Sequence, residues 1–74
     1  MSLRIDIDDM DIDRWYVLYK KSRNYCEENR IKTKVVSAMD IYLDHKYDAE
    51  RVSLGGIYEF DSKEKYTEFM LTWF

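Results

Sequence analysis

The chain has 74 residues and a net charge of −3, with no proline, two glycines, seven tyrosines, three phenylalanines and two tryptophans. This composition excludes a disordered or low-complexity chain. A chain of this length is close to the lower size limit for folding without covalent or metal support. We therefore expect one domain over residues 1–74, with a core built from aromatic side chains that each bury roughly 150–250 Å².

Cys26 is the only cysteine and His45 is the only histidine. One chain therefore offers neither an intramolecular disulfide nor a metal site of the usual His/Cys type, and we predict no metal and no cofactor. No apolar run approaches the roughly 18 residues that a membrane span needs, and the first residues lack a signal-peptide pattern. We expect a soluble, cytoplasmic protein that does not engage a membrane.

The first two predicted elements are a short strand and a long helix. Arg4–Asp8 alternates apolar and polar residues, and its charge suits an edge strand. A helix is predicted from about Asp11 or Ile12 to about Asn29, with Asp11 as its N-cap. Residues at three- and four-residue spacing form its apolar side: Trp15, Leu18, Tyr19, Ser22, Tyr25 and Cys26.

The segment Ile31–Leu43 fits two interpretations. Valine, isoleucine, threonine and tyrosine are frequent in it, so we predict a strand, followed by a polar connection over 44–53. The competing interpretation is a helix over Ala38–Arg51 that is capped by Ser37, with Asp40 three residues later. The sequence does not separate the two.

A further strand is predicted over Leu54–Phe60, and a last helix that Asp61 caps, with Glu64 in the capping-box position. The order βαββα predicts an α+β fold, a two-layer sandwich in which two helices cover a small antiparallel sheet. Such a sheet has two free edges that a strand of a second copy can extend, so we expect a homo-oligomer. The apolar stripe of the last helix comprises Tyr66, Phe69, Met70 and Trp73.

The stretch Gly56–Asp61, followed by Phe69-Met70-Leu71-Thr72-Trp73, resembles the strand-and-helix ending of small uncharacterised accessory proteins of T-even-like tailed bacteriophages. Those chains close on a similar Phe-x-Leu-x-Trp. The resemblance covers only this ending, and the matching residues are core residues. It implies a viral accessory protein and transfers no functional site.

The run of acids between Asp6 and Asp13 is the obvious candidate for a cation site. Its spacing fails the EF-hand pattern, because Arg14 stands where glycine is needed and Lys20 where glutamate is needed. Strand alternation and the preference for acids at a helix N-terminus explain the same residues without a metal. We therefore prefer the structural explanation.

Basic residues are concentrated in residues 14–34, where seven lysines and arginines stand against two glutamates. Such a segment suits contacts to phosphate, with a tyrosine available to stack on a base. In so small a domain it can equally complement the acidic ends of the chain. Nucleic-acid binding is thus the alternative function, and its candidate residues are Arg14, Lys20, Lys21, Arg23, Arg30, Lys32 and Lys34.

The sequence offers little for catalysis. His45 has only Asp44 and Asp48 as neighbouring acids, Cys26 falls on the buried side of the first helix, and no glycine-rich phosphate loop is present. We predict that the protein is not an enzyme and acts by binding a protein partner. The resemblance implies that it is a phage accessory factor whose partner is a host or viral protein. The candidate interface consists of apolar residues outside the core stripes: Tyr16, Val17, Tyr47 and Phe74.

Overall fold

The computed structural model describes residues 3–33, 37–53 and 55–74. Within these ranges it contains three α-helices and one three-stranded antiparallel sheet, which confirms the α+β class. In chain order the elements are β1 (Arg4–Asp6), a 3₁₀ helix (Ile7–Asp9), α1 (Ile12–Glu28), α2 (Ala38–Tyr47), β2 (Ala49–Arg51), β3 (Ile57–Phe60) and α3 (Lys63–Trp73). No helix in the described ranges is long and apolar enough to cross a membrane.

The sheet has the strand order β1-β3-β2, so the last strand in sequence lies in the centre. Tyr58 of β3 is paired with Ile5 of β1 on one side and with Arg51 of β2 on the other. Directly paired residues share a face of the sheet. Ile5 and Tyr58 are buried on the face toward the core, whereas Arg4 and Glu50 are exposed on the opposite, open face.

One core joins all three helices to the central strand. Leu18 of α1, Leu43 of α2, Phe69 of α3 and Tyr58 of β3 are all fully buried. Aromatic rings provide much of this packing, as expected from the composition: the Phe69 ring lies 5.4 Å from that of Phe60 and 5.1 Å from that of Tyr47 between centroids. These distances are typical of favourable ring pairs.

The predicted strand over 31–43 is wrong where it overlaps α2, and the competing helix is present. Ser37 is the N-cap, and its side-chain oxygen accepts a hydrogen bond from the Asp40 N–H at 3.2 Å. Met39, Leu43 and Tyr47 are four residues apart and buried, so the helix turns one apolar side to the core. Ile31–Thr33 is not in a strand, and residues 34–36 of the predicted strand lie outside the described ranges.

Four further boundaries differ from the prediction. Of the strand predicted over 54–60, only Ile57–Phe60 is a strand, since Gly55 and Gly56 lie in a bend and residue 54 lies outside the described ranges. The segment 44–53 is not only a connection, because it contains the end of α2 and the whole of β2. The N-cap of α3 is Ser62 and not Asp61, since the Ser62 hydroxyl accepts from the Lys65 N–H. The first strand ends at Asp6. The predicted cap of α1 is confirmed, because the Asp11 carboxylate accepts from the Asp13 N–H at 3.1 Å.

Candidate functional site

An open cleft of about 390 Å³ lies between α1, the start of α2 and the turn that joins β2 to β3. Its volume falls in the range of small-ligand sites and of pockets that receive a side chain. We call it the α1 cleft. The residues that line it include Asp8, Trp15, Tyr19, Met39, Arg51, Gly56 and Tyr58.

Two stacked rings of α1 form one wall of the α1 cleft. Trp15 and Tyr19 are four residues apart, so the helix places them one above the other on the same side. Their centroids are 5.4 Å apart and their planes differ by only 3°. Both side chains are half-buried against the core, which leaves part of each ring facing the cleft. The wall is therefore apolar, planar and held by secondary structure.

Two residues that line the cleft, Arg51 and Tyr58, belong to a polar network that also includes Asp40. The Arg51 Nε donates to the Asp40 carboxylate at 3.1 Å, and its Nη2 donates to the Tyr58 hydroxyl oxygen at 3.3 Å. The Tyr58 hydroxyl donates in turn to Asp40. Arg51 reaches this network because it lies on the core face of the edge strand β2, directly opposite Tyr58. The network joins α2 to two strands at the rim of the cleft.

Burial and the Asp40 hydrogen bond fix the protonation state of Tyr58. Burial is the larger effect, and together with the bond to Asp40 it raises the pKa of Tyr58 to about 12. The hydrogen bond to Tyr58 raises the pKa of Arg51, with Asp40 adding to the effect. At neutral pH the network therefore contains a neutral phenol and a charged guanidinium, and the guanidinium is the cationic group at the rim.

Gly56 lets the β2–β3 turn approach the 3₁₀ helix at the floor of the α1 cleft. The Ile7 N–H donates to the Gly56 carbonyl at 2.8 Å. A Cβ at position 56 would lie 3.2 Å from the Cβ of Ile7, closer than side chains normally pack. The absence of a side chain at Gly56 thus allows the close contact.

Among the described residues that line it, the α1 cleft has aromatic, apolar and charged side chains and no nucleophile–base pair. The His45 Nδ1 lies 2.8 Å from the Tyr25 hydroxyl oxygen, away from the cleft. Cys26 is buried in α1, and burial raises the pKa of its thiol. Among the described residues no group of three or more His, Cys, Asp or Glu side chains is arranged to hold a metal ion.

The predicted nucleic-acid residues do not share one face. Arg14 and Arg23 lie nine residues apart on α1, which places them on opposite sides of the helix. Lys20 lies 4.9 Å from the Tyr16 ring centroid, and the Lys21 ammonium lies 5.6 Å from the Trp73 ring. Arg30 and Lys32 follow the helix and are exposed, and Lys34 lies outside the described residues.

Arg23 stands beside the Tyr19 ring that lines the α1 cleft. Its Nη1 donates to the Tyr19 hydroxyl oxygen at 3.2 Å, and this bond raises the Arg23 pKa. Arg23 and Lys20 each lie next to a tyrosine ring of α1, and of these two rings only that of Tyr19 lines the cleft.

Three of the four predicted interface residues are exposed: Tyr16 at 52%, Val17 at 48% and Phe74 at 42%. The prediction of Tyr47 as an interface residue is wrong, because only 8% of Tyr47 is exposed. The Tyr47 ring packs against the ring of Phe69, and the Tyr47 hydroxyl accepts a hydrogen bond from the Trp73 Nε1 at 3.3 Å. Tyr47 is therefore a core residue.

Sequence reasoning missed three exposed apolar residues, Ile12 at 73%, Val52 at 42% and Leu71 at 83%. Ile12 lies four residues before Tyr16 on α1, so the two are neighbours on the exposed side. The signal was available for Ile12 and Leu71, because both are apolar residues outside the predicted apolar sides of their helices. Comparisons of the chain with protein-family models, curated proteins and solved structures find no match.

Proposed function

We propose that this chain is a small non-enzymatic interaction protein that binds a protein partner through the exposed side of α1 and the adjoining cleft. We call this region the α1 surface. It comprises Ile12, Trp15, Tyr16, Tyr19, Lys20 and Arg23. The observation that carries the proposal is the placement of exposed apolar residues, Ile12 and Tyr16, on the same helix as the aromatic wall of an open cleft.

The composition of the α1 surface is that of a protein interface. Tyrosine, tryptophan and arginine are the residues most often responsible for binding energy in interfaces. The rings sit on a helix and need little ordering when a partner binds, which lowers the entropic cost of association. A concave site next to the exposed Ile12 and Tyr16 offers a pocket for a partner's side chain.

The charges of the α1 surface indicate an acidic partner. Lys20 and Arg23 each lie beside a tyrosine ring, at 4.9 and 5.9 Å from its centroid. Their orientation is therefore biased by the rings, and complementary charge on a partner would orient its approach. The C-terminal resemblance to phage accessory proteins supports a viral accessory factor that binds a host or viral protein in the cytoplasm.

Nucleic-acid binding is the second candidate, favoured by the same two cation–tyrosine pairs. Rings that stack on bases beside cations that contact phosphate are the usual means of binding a single strand. The wider basic segment does not support it, because Arg14 and Arg23 face opposite directions. A titration with a single-stranded oligonucleotide at low salt decides this point. Binding that falls steeply as salt is added would favour the second candidate over the first.

The protein-binding proposal is tested by affinity capture from an extract of the source cell, followed by titration of the purified partner. Tyr16→Ala removes an exposed ring of the α1 surface. Leu71→Ser is the matched control, because Leu71 is also highly exposed but lies on α3. We expect Tyr16→Ala to weaken binding about tenfold, equivalent to about 1.4 kcal/mol, while Leu71→Ser leaves it unchanged. Equal binding by all three proteins would contradict the use of α1.

A further inference from the structure

Among the described residues no strand pairs with the outer edge of β1. On the side toward β3, the Leu3 carbonyl accepts from the Phe60 N–H, and the Ile7 N–H donates to the Gly56 carbonyl, both at 2.8 Å. Alternate residues of an antiparallel strand bond to the same neighbour. The N–H and C=O groups of Leu3, Ile5 and Ile7 thus point toward β3. Those of Arg4 and Asp6 point away from β3, to the outside of the sheet.

This edge is complementary to itself in charge. If two copies of β1 pair in antiparallel orientation about a two-fold axis at Ile5, Arg4 of each copy lies opposite Asp6 of the other. Both residues occupy hydrogen-bonded positions, since both direct their backbone groups outward. Their side chains lie on the open face of the sheet, where Arg4 already bonds to Glu59 at 2.7 Å. A guanidinium has five N–H donors, so it can contact both carboxylates.

Pairing of two copies through the other edge strand of the sheet, β2, is unfavourable. A two-fold axis at Glu50 would place this exposed carboxylate opposite its own copy, and like charges in that position are unfavourable. Arg51 of β2 is directed inward and engaged with Asp40 and Tyr58. An inward-pointing charge on an edge strand is a known means of preventing edge-to-edge pairing.

We propose that two copies of this chain associate through their β1 strands about a two-fold axis at Ile5, which joins their sheets into one antiparallel sheet of six strands. A two-fold axis makes the contact closed, so association stops at the dimer. The strand is only three residues long, and its pairing buries a small area. The dimer is therefore weak and depends on concentration. The interface is separate from the α1 surface and does not rest on the proposed function.

Sedimentation velocity from micromolar to near-millimolar protein tests the dimer with two substitutions at one position. Arg4→Pro removes an N–H that points away from β3, so the pairing within the chain is kept while the outer edge is blocked. Arg4→Gln keeps the N–H and removes the charge. We expect the wild type to reach dimer mass, Arg4→Gln to dimerise more weakly, and Arg4→Pro to stay monomeric with an unchanged circular dichroism spectrum.

If Arg4→Pro does not fold, Arg4→Glu replaces it, because it keeps the N–H and places two acids opposite each other across the axis. We then expect a monomer for Arg4→Glu at every concentration. A wild type that stays monomeric throughout overturns the proposal. A dimer that persists in folded Arg4→Pro or Arg4→Glu also overturns it, since another surface must then hold the two chains.

The register is tested by cross-linking Arg4→Lys with a carbodiimide. The reagent activates a carboxylate, the substituted lysine forms an amide with it, and the displaced oxygen leaves in the urea by-product. Coupling within one chain, for example to Glu59, gives no covalent dimer. We expect a covalent dimer whose linked peptides join position 4 to Asp6. Linkage of the two chains only at other carboxylates contradicts the axis at Ile5.

Discussion

The Tyr58 hydroxyl donates a hydrogen bond to the Asp40 carboxylate and thereby joins the central strand of the sheet to the first turn of α2. Arg51 of the edge strand bonds to both residues. The fully buried Tyr58 thus carries a polar group that is satisfied by two charged partners. The contact fixes the rim of the α1 cleft, so its loss should affect stability and the shape of the site together.

Tyr58→Phe removes this hydroxyl and keeps the ring. We expect the free energy of unfolding to fall by about 1–2 kcal/mol, because Asp40 and Arg51 lose a partner in a partly buried site. Urea denaturation followed by circular dichroism measures the change. Tyr16→Phe is the control, since 52% of Tyr16 is exposed, and it should leave stability unchanged. Equal stability of Tyr58→Phe and the wild type would show that the network contributes nothing net.

The stabilisation by Tyr58 should disappear at high pH. The pKa of Tyr58 is raised from 10.0 to about 12 by burial and by the bond to Asp40, so the folded state favours the neutral phenol. A raised pKa of this kind gives stability that is complete below the unfolded value and is lost as pH rises through the folded value. The gap between the wild type and Tyr58→Phe should shrink from pH 10 to 12.

Urea denaturation of both proteins across that range measures the gap, and the other titrating groups are common to both. Ultraviolet titration of tyrosinate gives an independent check, because Tyr58→Phe should lose the component that titrates with a pKa of about 12. A gap that stays constant with pH would show that Tyr58 ionises alike in the folded and unfolded chain.

Arg30→Gly should stabilise the protein. Arg30 has a φ of 54° and follows α1. The Ile31 N–H donates to the Cys26 carbonyl at 2.8 Å and the Arg30 N–H to the Glu27 carbonyl at 3.2 Å, which forms a Schellman motif. Glycine adopts this left-handed conformation without the cost of about 1–2 kcal/mol that a side chain adds. Glycine also raises the entropy of the unfolded chain, so we expect the free energy of unfolding to rise by only about 0.5–1 kcal/mol.

Arg30→Ala is the matched control, because it removes the same charge and keeps the Cβ. Thermal denaturation should place Arg30→Ala close to the wild type and Arg30→Gly above both. An equal rise in stability in Arg30→Gly and Arg30→Ala would show that loss of the charge causes the effect. The backbone conformation would then not be its source.

The sequence was sufficient for the fold class and for α1, because Leu18, Ser22 and Cys26 repeat at four-residue spacing and Asp11 supplies a cap. It did not decide α2. Met39, Ile41 and Leu43 satisfy the parity of a strand, while Met39 and Leu43 also satisfy the spacing of a helix. Packing decides between them, since the helix buries Met39, Leu43 and Tyr47 together.

The strand β2 and the polar network were not predictable from local pattern. Ala49-Glu50-Arg51 has low strand propensity, and its conformation is set by pairing with β3. Tyr58 and Asp40 are 18 residues apart in sequence, and they meet only because α2 packs beside the sheet. The side of the cleft that Tyr58 lines therefore depends on tertiary contacts, whereas the Trp15–Tyr19 wall follows from helical spacing alone.

Ser62→Ala tests the observed start of α3. The Ser62 hydroxyl caps the helix by accepting from the Lys65 N–H, so its loss should cost about 1 kcal/mol. Asp61→Ala is the comparison, because Asp61 is exposed and is held by its backbone N–H, which donates to the Asp48 carbonyl at 3.2 Å. That change should alter stability by less than about 0.5 kcal/mol. A larger loss of stability in Asp61→Ala than in Ser62→Ala, measured by urea denaturation, would show that Asp61 is the N-cap.

Glu50→Lys tests the open face of the sheet. Glu50 of β2 lies directly opposite Glu59 of β3, and the only ion pair on this face among the described residues joins Glu59 to Arg4 at 2.7 Å. A lysine at position 50 replaces a like-charge cross-strand pair by an opposite-charge pair. We expect the free energy of unfolding to rise by about 0.5 kcal/mol at low salt.

Both groups are at the surface, so added salt should screen the gain from Glu50→Lys. Glu50→Gln separates the two contributions, because it removes the repulsion and adds no attraction. It should fall between the wild type and Glu50→Lys in urea denaturation at low salt. At high salt the three proteins should converge. A gain that is equal at low and high salt would mean that strand propensity or packing at position 50 sets the stability, and that the facing carboxylates do not repel each other measurably.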